Sequence, residues 1–175
     1  MSNDPLEPGK TNLAAKSMEK EVGRKTQAAR TRQVAWSLSL FGAVPLVVLA
    51  AALMVMDTNG PLYALAFDGL KTYSAIILSF LGGVRWGLAM KAQDPTVARR
   101  VMAISVFPAL VGWMSLFLPA PYVFGVLILA FAAHGAWDSF AGQKGVFGLW
   151  FVQLRSALTF IVCGALVIAF FATTS

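Results

Sequence analysis

Charge is scarce in this chain: only 13% of its 175 residues are Asp, Glu, Lys or Arg, against about 25% in ordinary soluble domains. That shortage argues against a water-covered globular domain. Cysteine occurs once, at Cys163, which excludes an intramolecular disulfide and leaves a small packing residue as the simplest role. Histidine also occurs once, at His134, so a usual zinc ligand set is not expected. Acids number eight, and only Asp138 lies in the inner half of an apolar stretch. Two-carboxylate acid/base chemistry is therefore not expected. No nucleophile motif and no glycine-rich phosphate loop following a strand occurs, so neither enzymatic activity nor a cofactor is expected. A cleavable leader is not expected either. Residues 1–32 are polar throughout, and Asp4, Glu7, Glu19 and Glu21 do not suit an acid-poor targeting peptide. The first apolar stretch is expected to serve as an uncleaved anchor.

What the chain has instead is apolar bulk, 58% of its residues, gathered into blocks of the length that crosses about 30 Å of hydrocarbon as a helix. The fold class expected is all-α, a polytopic membrane helix bundle with five transmembrane helices and a polar N-terminal arm. The arm covers residues 1–33 and should be disordered to partly helical. Its first dozen residues combine Pro, Gly and charge, and Leu13, Met18 and Val22 make too sparse an apolar face for a core helix. The spans are expected at about 34–56, 69–90, 98–118, 122–140 and 146–172. Pro45 and Pro108 mark candidate kinks. Residues 62–67 are too short to cross and read as an interfacial turn of helix.

The formal charge of +6 does not read as a nucleic-acid footprint, because its position points to a membrane surface. Seven of the fourteen Lys and Arg precede the first apolar block, where they meet anionic lipid headgroups. Three more, Lys91, Arg99 and Arg100, fall in the loop 91–100, and Lys144 falls in the loop 141–145. With five crossings, all three segments share one face, and the opposite face keeps only Lys71, paired with Asp68. The excess of cationic residues on cytoplasmic loops then predicts a cytoplasmic N-terminus and a periplasmic C-terminus.

Away from the span ends, four ionisable residues interrupt the apolar runs: Arg85, His134, Asp138 and Arg155. A guanidinium in hydrocarbon costs at least about 2.5 kcal/mol, so each arginine needs a partner. Asp138 is the acid available to both, and the planar guanidinium fork suits a buried carboxylate. The expectation is an Arg85–Asp138–Arg155 cluster joining spans two, four and five, with His134 one turn deeper on the face of Asp138. Gln153, Ser79, Ser139 and Ser156 could complete a polar network. The cluster reads first as a staple fixing helix register and second as a transport or regulatory site.

Ser79, Gly83 and Gly87 form a small-xxx-small ridge for a neighbouring helix, roughly 160° from Arg85 at 3.6 residues per turn. Gly82 lies nearer the arginine, so span two is expected to pack on both flanks. Trp86, Trp137 and Trp150 read as interfacial belt residues, with ligand stacking as the lesser alternative.

The segment Leu78-Ser-Phe-Leu-Gly-Gly-Val-Arg-Trp-Gly-Leu-Ala89, with Trp137-Asp138 and Leu154-Arg155, resembles the signature of the transmembrane protein 69-like family of small polytopic inner-membrane proteins, a domain of unknown function. The resemblance covers about residues 34–172. Many members of that family carry His where this chain has Arg85, which implies a fixed charge here in place of a titratable one. The resemblance implies a bacterial cytoplasmic membrane, or alternatively a mitochondrial inner membrane, and no established activity. The leading functional expectation is a non-enzymatic accessory, assembly or scaffolding subunit, within a larger membrane complex or a homo-oligomer. The alternatives are a small ion or solute transporter using Arg85, Asp138 and Arg155, and a binder of anionic lipid.

Overall fold

Helix α1 covers Pro8–Val55, 48 residues without interruption. The computed structural model describes residues 8–143 and 148–174. The chain divides into two units, Met1–Ser39 and Leu40–Ser175, and α1 contributes to both. Within the first unit, side chains 16–34 are all exposed. The stretch is nevertheless helical because Ala, Lys, Glu, Gln and Arg are strong helix formers. A Lys25–Glu21 ion pair at 2.8 Å adds a little, roughly 0.3–0.5 kcal/mol for an exposed pair at this spacing. The arm, expected to be disordered to partly helical, is helical from Pro8 onward, and residues 1–7 lie outside the described residues.

The second unit contains the last part of α1 and five further helices: α2 Pro61–Ala89, α3 Pro95–Ser105, α4 Phe107–Ser115, α5 Tyr122–Gln143 and α6 Leu149–Ala172. Among the described residues five segments are long and apolar enough to cross a membrane: Lys16–Val55, Pro61–Ala89, Pro95–Ser115, Tyr122–Phe140 and Leu149–Ala172. Among the described residues there is no strand. The all-α, five-span architecture therefore holds, with several boundaries moved.

Helix α1 passes through Pro45 without a break. Helix α2 starts at Pro61, so residues 62–67 are its first turns and not a separate interfacial turn. The cause is local: Asp57 closes the preceding turn by accepting from the Asn59 N–H at 3.0 Å, and Pro61, with no N–H to leave unpaired, begins the helix. Asp94 caps α3 by accepting from the Thr96 N–H at 2.7 Å. The third crossing breaks at Val106, as expected beside Pro108, which removes the hydrogen bond to the Ile104 carbonyl. The loop expected at 141–145 begins as helix, since α5 runs to Gln143. Residues 144–147 lie outside the described residues.

The core joins four helices. Leu46, Ala50 and Leu53 of α1 meet Ala66, Leu70 and Leu78 of α2, Val123, Phe124, Leu127 and Phe131 of α5, and Val162, Ala165, Leu166 and Ala169 of α6. The Phe67 and Phe124 rings meet edge to face at 5.4 Å. The Tyr73 hydroxyl, on α2, donates to the Gly42 carbonyl at 2.8 Å. Outside this core, Phe41, Leu129, Phe160 and Phe171 stand exposed, a surface suited to lipid and costly in water.

Candidate functional site

Each ion continues an apolar stripe. On α2 the buried positions are Ala66, Leu70, Ser74, Ala75, Leu78, Gly82, Arg85 and Ala89, the three-and-four spacing of one helix face. On α5 they are Val123, Phe124, Leu127, Phe131, His134, Gly135 and Asp138, and on α6 Leu154, Arg155, Val162, Ala165, Leu166 and Ala169. The helical period that buries the apolar side chains therefore carries Arg85, Asp138 and Arg155 inward as well.

They meet as expected. The Arg85 Nε donates to Asp138 Oδ1 at 2.8 Å, and the Arg155 Nε donates to Oδ2 at 2.6 Å. Asp138, His134, Arg85 and Arg155 keep only 3%, 4%, 6% and 8% of their surface. Arg85 Nη2 also lies 2.7 Å from Oδ1, within the same ion pair. His134 sits one turn away with Nε2 at 3.8 Å from Oδ2, beyond hydrogen-bond reach. Neither of its nitrogens has a partner among the described residues. The three fixed ions sum to +1.

The wider polar network is not assembled. The Ser79 hydroxyl turns back to the Ala75 carbonyl at 2.8 Å and that of Ser139 to the Gly135 carbonyl at 3.0 Å, while Gln153 is exposed. What encloses the cluster instead is Trp137. Its ring lies 3.8 Å from the Arg85 Cζ, a cation–π contact worth about 2 kcal/mol when desolvated. Trp137, read as a belt residue, thus also stacks on a charged side chain of the cluster. Trp86 remains 43% exposed.

The glycines divide sharply. A Cβ on Gly82 would stand 2.5 Å from the Ser105 carbonyl oxygen, so α2 and α3 touch backbone to backbone there. At Gly83 and Gly87 nothing lies within 4 Å of the place a Cβ would take, and Gly83 is exposed. Span two therefore packs on the Gly82 flank, and among the described residues of the second unit nothing packs where Gly83 and Gly87 would carry a Cβ. Two further close approaches escaped sequence reasoning. A Cβ on Gly112 would meet the Ala75 carbonyl at 3.0 Å, and one on Gly135 would meet Thr159 Oγ1 at 2.5 Å. The signal for the second was the run of small residues around His134. It lets α5 and α6 approach closely beside the Asp138–Arg155 bond.

Chemically, the site offers hydrogen-bond donors, a fixed surplus of positive charge and an unpartnered imidazole. Among the described residues, no group of three His, Cys, Asp or Glu converges there as a metal would require.

The family described as "Protein of unknown function (DUF3429)" matches residues 31–171, which include all four ionisable residues of the site. The chain belongs to this family. It is also similar to Transmembrane protein 69 of Xenopus tropicalis, with 32% identity over 135 residues, covering 74% of this chain and 51% of the relative. The chain thus spans about half the length of the curated relative it matches. No solved structure matches. Family membership and five apolar helices together identify a multi-pass membrane protein.

Proposed function

We propose that this protein is a non-enzymatic accessory, assembly or scaffolding subunit of a membrane complex, set in the bacterial cytoplasmic membrane with its N-terminus inside. The observation that carries the reading is that Asp138 is engaged at both of its oxygens. They are held by guanidiniums from two other helices at 2.8 and 2.6 Å. A carboxylate so engaged is a tie between crossings, and a passing ion would have to displace a guanidinium to use it fully. The exposed basic stretch of α1, with Lys16, Lys20, Arg24 and Lys25, supplies the means to reach a partner or anionic lipid on the cytoplasmic side.

Affinity purification from native membranes in mild detergent tests this reading. A larger complex should co-purify, and Asp138→Asn should lower the amount of protein in the membrane. An isolated protein, or one whose Asp138→Asn variant keeps its abundance and loses ion-dependent uptake, would replace the accessory role with transport.

A further inference from the structure

A cleft of about 200 Å³ lies between the third crossing and α5, walled by Ile104, Phe107, Pro108, Val111, Ala130 and Ala133, with His134 and Trp137 also lining it. Its walls are mainly apolar, but these last two residues reach the ionic cluster, His134 within 3.8 Å of Asp138 Oδ2 and Trp137 against Arg85. His134 is 4% exposed with both nitrogens unpartnered among the described residues, and a buried polar group left so is costly. Trp137 lines the cleft and stacks on Arg85. Behind it, the three fixed ions carry a surplus positive charge in a site nearly closed to solvent. Apolar walls leading to an unmatched positive end are the complement of an acyl chain with an anionic head.

We propose that this cleft binds an acidic lipid from the bilayer, its carboxylate or phosphate oxygen accepting a hydrogen bond from His134 and balancing the surplus charge of the cluster. The direction fits. His134 lies six residues from the Phe140 end of the crossing, about 9 Å at 1.5 Å per residue, a depth to which a headgroup can be drawn from the nearer interface. Ala130 and Val111 lie deeper, so the cleft runs from the head position toward the bilayer centre, as an acyl chain of that leaflet does. The lip is lined by exposed Phe107 and Ala133, so entry is from the side. The proposal rests on observations separate from those behind the accessory role and stands or falls without it.

The test is native mass spectrometry and thermal unfolding of the full chain in a neutral detergent, titrated with oleate, phosphatidylglycerol, phosphatidylcholine or inorganic phosphate. The expected result is a one-to-one adduct and a raised unfolding temperature with oleate or phosphatidylglycerol. Phosphatidylcholine and inorganic phosphate should give neither. His134→Phe should weaken binding about tenfold to a hundredfold, the loss associated with one hydrogen bond to a charged group. Ala133→Phe fills the lip from an already exposed position, so it should block the adduct without altering the unfolding temperature of the lipid-free protein. Equal binding of phosphatidylcholine, equal binding of inorganic phosphate, or an acidic-lipid adduct that survives Ala133→Phe would each overturn the proposal.

Discussion

The two ends of the second unit tie the same helices together by opposite means. At one end, Phe124, Phe67, Leu70, Leu127 and Leu166 interlock with the α1 residues Leu46, Ala50 and Leu53. Cohesion there is spread over many contacts, each worth only about 0.1–0.2 kcal/mol per atom pair. At the other end, the ionic ties among α2, α5 and α6 all converge on one carboxylate. Loss of one leucine from the apolar end removes a fraction of a shared cohesion, whereas loss of Asp138 leaves two guanidiniums buried together. In a bilayer this contrast sharpens, because lipid tails compete with apolar contacts between helices but offer nothing to a guanidinium.

The largest expected effect follows directly. Asp138→Ala should destabilise the folded protein by about 3–5 kcal/mol, the cost of leaving buried charge uncompensated, measured by denaturant titration in detergent. Leu127→Ala at the apolar end should cost about 2–3 kcal/mol, toward the low side for a leucine cavity, and an equal or larger loss there would erase the contrast. Next come the glycines at close approaches. Gly82→Ala and Gly135→Ala should each cost about 1–3 kcal/mol, because backbone or a packed Thr159 must give way. The smallest effect is at Gly83 and Gly87, where alanine meets open space. Each should be neutral or stabilising by up to about 1 kcal/mol through helix propensity, and a clear destabilisation in membranes would reveal a partner helix on that ridge.

Much of this organisation was legible in the sequence, for a reason that also marks where reading failed. Ions inside apolar runs are rare enough that Arg85, Asp138 and Arg155 had few alternatives to one another. Pro108 announced the break in the third crossing, because a missing N–H is visible in the chain itself. Apolar residues carry no such label in a membrane, since the face toward lipid and the face toward protein are equally hydrophobic. The packed flank of α2 was therefore not decided by composition: Gly82, Gly83 and Gly87 look alike, yet only Gly82 is pressed against a neighbour. Residues 62–67 are too few to cross on their own, and Asp68 and Lys71 follow them in the chain. In the structure those two form a 2.8 Å ion pair on the side of α2, and the helix passes beneath them. The second contact of Trp137 was missed because indoles concentrate at interfaces and were read as belt residues alone. Its stack on Arg85 depends on a contact between two helices that no local pattern reports.

The most direct test of the shared carboxylate is a double-mutant cycle between Asp138→Asn and Arg155→Gln, read by denaturant titration of the four proteins in one detergent. If one acid neutralises both cations, removing Arg155 from the Asp138→Asn background relieves a buried repulsion, and the double variant should be at least as stable as Asp138→Asn alone. Strictly additive losses, the behaviour of independent sites, would contradict it.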